Sequence, residues 1–203
     1  ADRVVSNADR HWTDTQLLPP DRGSTSESYW KNAVLAPSAH ILYLGVRGRC
    51  DGLAHHNFLF AKNWDRHFET IFDAPSWPDE PCVYVSAPSR SDPSVAPADH
   101  ENLFVLVPLA PGFERPLAEQ EAFEARLLAL LEKHLPLPDL QNRLVVRERF
   151  TVKDFTDRYR SVRGTALGLA HTLRQTPPFR PGNRHPHWKN LLYVGAATAP
   201  GIG

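Results

Sequence analysis

The sequence predicts an α/β (α+β) chain in which a mostly antiparallel sheet carries helices packed on it. Three observations lead there. Short runs rich in β-branched and aromatic residues recur between Gly, Pro and Asp boundaries, which favours an antiparallel sheet. One segment, "LAEQEAFEARLLALLEKHL", has the apolar spacing of an amphipathic helix that should lie across one face of that sheet. Nineteen prolines cluster in connectors such as "LLPPDRG", "APSWPDEP" and "APSRSDPSVAP", which read as rigid loops between elements.

Taken in order, "ADRVVSNADRHWTDTQLL" reads as a strand end followed by a helix. Val4 and Val5 form the strand, and Asn7 or Asp9 can cap the helix carrying Trp12, Leu17 and Leu18. The polar stretch "PPDRGSTSESYW" is expected to be a linker or mobile loop. Four strand-like runs follow: "SAHILYLGV", "LAHHNFLFA", "CVYVSAP" and "NLFVLVPLA". Between the second and third, "WDRHFETIFDA" places Trp64, Phe68, Ile71 and Phe72 at helical spacing. In the long helix, Phe123, Leu127, Leu128, Leu131 and Leu135 share one face, with acids early and Lys133 and His134 near the end. "RLVVRERF" resumes as a strand, and "TVKDFTDRY" as a helix with a cap-like Thr151. The last third, "RGTALGLAHTLRQTPPFRPGNRHPHW", is too irregular to assign; its small residues suit either a flat ligand or tight packing.

Composition excludes several classes. Formal net charge is zero, so nothing marks a nucleic acid or another polyanion as a partner. No apolar stretch approaches the roughly 20 residues needed to span a bilayer. Cys50 and Cys82 make neither a disulfide framework nor a zinc set and are expected to be small apolar residues in a reducing compartment. His55-His56 and the "HPH" of His185 to His187 lack Cys or acidic partners, so no metal site is expected. Neither a Gly-x-Ser-x-Gly elbow nor a Gly-x-x-x-x-Gly-Lys phosphate loop occurs.

Several stretches, in this order, carry a resemblance: "VVSNAD" from Val4, "APSAHILYLGV" from Ala36, "LAHHNFLF" from Leu53, "DPSVAPADHENLFVLVPLAPG", "GTALGLAHTLRQ", "FRPGN" and the closing "NLLYVGAATAPGIG". Together they resemble the bacterial-type phytoene desaturase (phytoene dehydrogenase) family, the FAD-dependent carotenoid desaturases. The resemblance implies a substrate domain inserted into a Rossmann-like FAD domain, remnants of which stand at both termini. By that likeness residues 1–30 are an FAD-domain remnant and linker, 31–160 the substrate domain, and 161–203 the return to the FAD domain. The family's GxGxxG fingerprint, which would hold the FAD pyrophosphate, does not occur here. The chain is therefore expected to be a fragment that stops inside the final flavin motif, with its two ends close in space.

The same resemblance implies an FAD-dependent oxidoreductase acting on CH–CH bonds of an apolar, phytoene-like carotenoid precursor. Flavin contact is expected from Gly195, Ala196, Ala197, Thr198, Ala199, Pro200, Gly201 and Ile202. The family's last motif commonly reads Gly-Ala-Gly-Thr-His-Pro-Gly, and Ala197 and Ala199 stand at its third and fifth positions. Substrate contact is expected from Gly168, Leu169, His171, Gln175 and Arg180, whereas no residue stands out as a catalytic base. Leu42, Leu44 and Val46, with residues of "CVYVS" and "NLFVLV", form either a cavity floor or ordinary core. The protein is expected in the cytoplasm, peripheral at the membrane, with contact through the loop around Tyr29 and Trp30. The isolated chain is expected to hold no FAD and to be inactive, and Gly201 to Gly203 to fray. Other readings are a carotenoid isomerase, a shorter-chain desaturase, or a non-catalytic apolar-ligand-binding module.

Overall fold

The computed structural model describes residues 1–202. In chain order its elements are β1 (Val4–Ser6), α1 (Arg10–Trp12, continued by a π-helical turn Thr13–Leu17), α2 (Glu27–Asn32), β2 (Ser38–Arg47), β3 (His56–Leu59) and α3 (Trp64–Phe72). There follow β4 (Val83–Ser86), β5 (His100–Leu109), α4 (Leu117–His134), α5 (Leu140–Arg143), β6 (Leu144–Phe150), α6 (Val152–Tyr159) and β7 (Leu191–Tyr193). Two compact units divide them: Ala1–Ser38 with Val152–Gly203, and Ala39–Thr151.

The second unit is the sheet that the alternating runs predict. Strand order is β3-β4-β5-β2-β6, and the pairs β3–β4, β4–β5 and β2–β6 are antiparallel. Strict alternation along β5 buries Leu103, Val105, Val107 and Leu109 and leaves their neighbours half-buried, as expected when one face is packed and one is open. The packed face lies under α4. Glu124 of that helix bonds His40 of β2 and Arg149 of β6 at 3.0 and 2.9 Å, and also Arg147. Arg149 and Arg147 stand opposite Leu42 and Leu44, so those leucines face α4 too. Full burial of Leu127, Leu128 and Leu131 on α4 stabilises this layer by about 1.5–3 kcal/mol each.

That arrangement bears on the two roles open for Leu42, Leu44 and Val46. All three are no more than 2% exposed and belong to the core, and Leu44 also borders a cleft of about 520 Å³ beside Tyr43 and Gly45. The open face carries the alternate residues, Tyr43 among them.

In the first unit, β1 and β7 pair in parallel, Val4 with Leu191, Val5 with Leu192 and Ser6 with Tyr193. The two ends of the chain are therefore neighbours, as expected. Asp9 caps α1, its Oδ1 accepting from Trp12 N–H at 3.1 Å. Two expectations fail in the segment after it. "PPDRGSTSESYW" is not a mobile linker: Asp14 Oδ2 accepts from Ser24 Oγ, Thr25 N–H and Thr25 Oγ1 at 2.7–3.0 Å. Ser26 then caps α2 through Tyr29 N–H. Nor do Tyr29 and Trp30 offer a membrane contact. Trp30 is 4% exposed and packs with Ala33, Leu35 and Leu169, with Tyr29 against the same cluster. The polar residues that suggested a loop are those that fasten it. Gly203, the last residue expected to fray, lies outside the described residues.

Among the described residues no helix is long and apolar enough to cross a membrane.

Candidate functional site

Parallel strands present their carboxyl ends on one side, and the loops leaving them meet there. Here β1 runs into Asn7, Ala8, Asp9 and Arg10, and β7 runs into Val194 to Thr198. These two loops, with Tyr159, Ser161, Thr165, Ala166 and Gly168, line a cleft of about 200 Å³. The strand pairing extends into its wall, because Val194 N–H donates to Ser6 C=O at 3.0 Å.

Glycines shape the cleft. Gly168 has φ +75°, and a Cβ there would stand 3.0 Å from the Ala196 Cβ. Gly195 has φ +114°, and a Cβ there would project toward Asn7 Oδ1 at 3.4 Å. Both positions thus need the left-handed backbone that only glycine adopts freely. Thr198 closes the turn, its N–H and Oγ1 donating to Gly195 C=O at 3.1 and 2.8 Å. Among the described residues no protein acceptor takes the N–H of Ala196 or Ala197.

Arg180 holds the turn from behind. It is 3% exposed, with Nη1 donating to Ala196 C=O at 2.5 Å, Nη2 to Leu169 C=O at 2.9 Å, and Nε to Gln175 C=O at 2.8 Å. Burial lowers its pKa, yet the carbonyl dipoles replace the water it loses. Gln175 is committed as well: its amide donates to Val34 C=O and Ala170 C=O, and its oxygen accepts from Val34 N–H. Leu169 is buried in the Trp30 cluster.

Arg180 thus ties the segment holding Leu169 to the turn holding Ala196. Gly168, Gly195, Ala196, Ala197 and Thr198 line the cleft. Ala199 is anchored through its N–H to Pro181 C=O at 2.9 Å. Gly201 has φ +109°, and a Cβ there would meet His171 Nε2 at 2.6 Å and Arg180 at 2.9 Å. His171 is exposed. Pro200 and Ile202 are exposed and are not among the cleft residues. The Ala197 methyl packs against the Trp30 cluster, so the structure gives this departure from the family motif a place of its own.

Sequence reasoning gave Asn7 and Asp9 only a capping role and gave Arg10, Ser161 and Thr165 none, yet all five also line the cleft. Arg10 is buried, donates to Gly182 C=O at 2.7 Å and lies 4.1 Å over the Tyr193 ring. Burial lowers its pKa. Burial raises that of Asp9, whose Oδ2 accepts from Val162 N–H at 3.2 Å. Burial also lifts the Tyr193 phenol, aided by its bond to Asp14 at 2.6 Å, to about 12. For Asp14 itself burial pushes upward, but the hydroxyl and backbone donors outweigh it and hold the carboxyl below its usual range. The usable signal was the pairing of "VVSNAD" with "NLLYVG", which spacing along the chain does not reveal.

His185 is committed within the fold. His185 Nδ1 accepts from the N–H groups of His187 and Trp188, which leaves Nε2 to donate to Arg22 C=O at 2.8 Å. Among the described residues no cluster of His, Cys, Asp and Glu is arranged to hold a metal.

Compared with models of known protein families, the chain matches none. It is 44% identical over 202 residues to a carotenoid 3,4-desaturase from Haloarcula japonica, covering 100% of this chain and 41% of that protein. It is 34% identical over 207 residues to a ζ-carotene-forming phytoene desaturase from Myxococcus xanthus, covering 100% and 39%. The chain thus spans about two fifths of the length of these relatives. Among solved structures, an oxidoreductase from Methanosarcina mazei has a similar fold, with TM-score 0.55 and 18% identity over 98% of this chain and 38% of that one.

Proposed function

The chain is homologous over its whole length to the carotenoid and phytoene desaturases, and from that premise we propose that it is part of a carotenoid-modifying, FAD-dependent oxidoreductase. Its reaction removes hydrogen from adjacent carbons of a long apolar polyene. The observation that supports this reading is the cleft at the carboxyl ends of β1 and β7, with glycines where a side chain would intrude and two N–H groups without a protein acceptor.

The residues present fit the ring end of such a cofactor. Gly168 lets its backbone approach Ala196 closely, Gly195 keeps the wall beside Asn7 free of a side chain, and the Ala196 and Ala197 N–H groups favour an electron-rich edge. FAD, when bound, would supply the hydride acceptor for such chemistry. Arg180 and Thr198 fix the turn that carries those N–H groups. Of the residues assigned to the substrate side, Leu169, Gln175 and Arg180 act by shaping the wall, because their side chains are buried or fully bonded. Gly168 forms part of the surface, and His171 is the exposed side chain left to meet a ligand at the Gly201 edge. A cleft of about 200 Å³ does not enclose a whole dinucleotide, and no GxGxxG occurs in these residues. The pyrophosphate grip is accordingly assigned to sequence outside them.

The test replaces the matched region of the Haloarcula japonica desaturase with this chain. The hybrid is expected to be yellow with bound flavin and to convert a carotenoid substrate. A soluble hybrid that binds flavin but converts no carotenoid of any length would refute the proposed activity.

A further inference from the structure

We propose that Arg180 tunes the reduction potential of the ring held at the cleft: its unpaired charge acts there through the Ala196–Ala197 peptide and favours the reduced ring. The inference rests on the flavin reading above and deepens it. Arg180 is 3% exposed, and its guanidinium meets carbonyl oxygens: Gln175 at 2.8 Å, Leu169 at 2.9 Å, Ala196 at 2.5 Å and Ala170 at 3.3 Å. Among the described residues no carboxylate pairs with it, and the titratable group that feels its charge is the Tyr29 phenol. Tyr29 Oη is itself buried without a hydrogen-bond partner. The other side-chain atoms in that state, on His67, Trp77 and Asn102, belong to the sheet unit.

A buried charge without a counter-charge is costly, and carbonyl dipoles replace the lost water without cancelling the field. In a water-poor site that field is weakly screened. The neighbouring charges of the same unit are otherwise engaged. Arg10 and Asp14 attract each other. Asp9, the acid on the cleft wall, turns its oxygens to the Trp12 and Val162 N–H groups. The charge of Arg180 is left to be matched by something bound.

Its route to the cleft is one peptide unit. Nη1 bonds the Ala196 carbonyl, and the N–H on the far side of that peptide belongs to Ala197, which has no protein acceptor among the described residues. A cation on the carbonyl draws electrons across the amide and makes the N–H a stronger donor. Both ends of the link are fixed: Nε and Nη2 fasten the guanidinium, and Thr198 Oγ1 closes the turn on Gly195 C=O at 2.8 Å. Desaturation takes two electrons and two protons from the polyene. With the electrons and one proton taken up at the ring and the second proton passed to water, the ring gains one negative charge. A fixed cation and a polarised N–H stabilise that charge more than the neutral ring, so reduction becomes easier.

The test uses the Haloarcula hybrid, with FAD added to saturation, carrying Arg180→Gln, Arg180→Lys or Tyr29→Glu. The flavin potential is read by dye equilibration without oxygen, and stability by urea unfolding. Arg180→Gln removes the charge and should lower the equilibrium constant for reduction about tenfold, or about 30 mV for a two-electron couple. Arg180→Lys keeps the charge and should hold the potential near that of the unsubstituted hybrid, although both variants lose the planar fork and unfold at lower urea. Tyr29→Glu leaves the fork in place, sets a carboxylate against the charge of Arg180 and should lower the potential in the same direction. A purely structural Arg180 predicts potentials that follow stability, with Lys and Gln alike. That result overturns the inference, as does a set of three variants at the parent potential. Either leaves the flavin reading intact, because flavin content of the unsubstituted hybrid judges that reading. An unsubstituted hybrid that binds no flavin overturns both.

Discussion

At the scale of single residues, two side chains carry more than their sequence context suggests. Arg180 lies in "FRPGN", where an exposed or substrate-binding arginine is equally compatible with the sequence, but its guanidinium joins four backbone carbonyls of two segments. Arg180→Lys should not rescue it, because an ammonium cannot reproduce the planar fork. Both Arg180→Ala and Arg180→Lys are expected to lower stability by about 2–4 kcal/mol, since buried carbonyls lose their donors. Urea unfolding measures this, and a loss below the scatter of replicate titrations would show that the carbonyls find other partners. Glu124 is 0% exposed. Burial raises its pKa, but His40, Arg147 and Arg149 outweigh that and bring it down to about 2 from 4.5. Its folded value lies below its unfolded one, so its contribution is complete above about pH 4.5 and is lost as pH falls through about 2. The full shift corresponds to about 3 kcal/mol, reduced to about 2 because Arg147 and Arg149 are 36% and 31% exposed and screened by solvent. Stability of the wild type measured from pH 6 to pH 2 should therefore fall more steeply than that of Glu124→Gln. Parallel slopes would contradict the assignment.

At the scale of elements, legibility followed periodicity. The runs that became β2, β4, β5 and β6, and the helices α3 and α4, were readable because alternation or helical spacing extends across each of them. The "PPDRGSTSESYW" stretch misled because Ser and Thr serve loops and caps alike, and only Asp14, ten or eleven residues away, determines which. Trp30 was misplaced for the same reason. In β2 the alternation was visible, but which parity faces α4 was not, so Leu42 and Leu44 were open to two roles while the exposed Tyr43 went unread. The ring of contacts around the cleft was legible as motifs only through resemblance, since Gly168 and Ala196 meet through folding and not through spacing. One expectation belongs to this scale. β1 and β7 form a two-stranded pair of three residues each, and such pairs are marginal without further strands. Amide exchange at Val194, which donates to Ser6 C=O, should be much faster than at Val85 and Val105 in the centre of the five-stranded sheet. Equal protection would mean that the pair opens only with the whole unit.

At the scale of the molecule, the proposal divides binding between these residues and others that the relatives possess outside the matched two fifths of their length. The 203-residue chain alone is expected to hold no flavin, because the pyrophosphate-binding turn supplies much of a dinucleotide's affinity. What these residues contribute is the shape of the cleft. The most direct measurement of that claim is flavin stoichiometry in the Haloarcula hybrid, compared with the same hybrid carrying Gly195→Val. The unsubstituted hybrid should purify with close to one flavin per chain. A side chain at Gly195 has to adopt φ +114° beside Asn7 and fills the space assigned to the ring, so the variant should lose most of its flavin while its sheet unit keeps its far-ultraviolet dichroism. A folded Gly195→Val hybrid that binds flavin as fully as its parent would contradict the placement of the cofactor at this cleft.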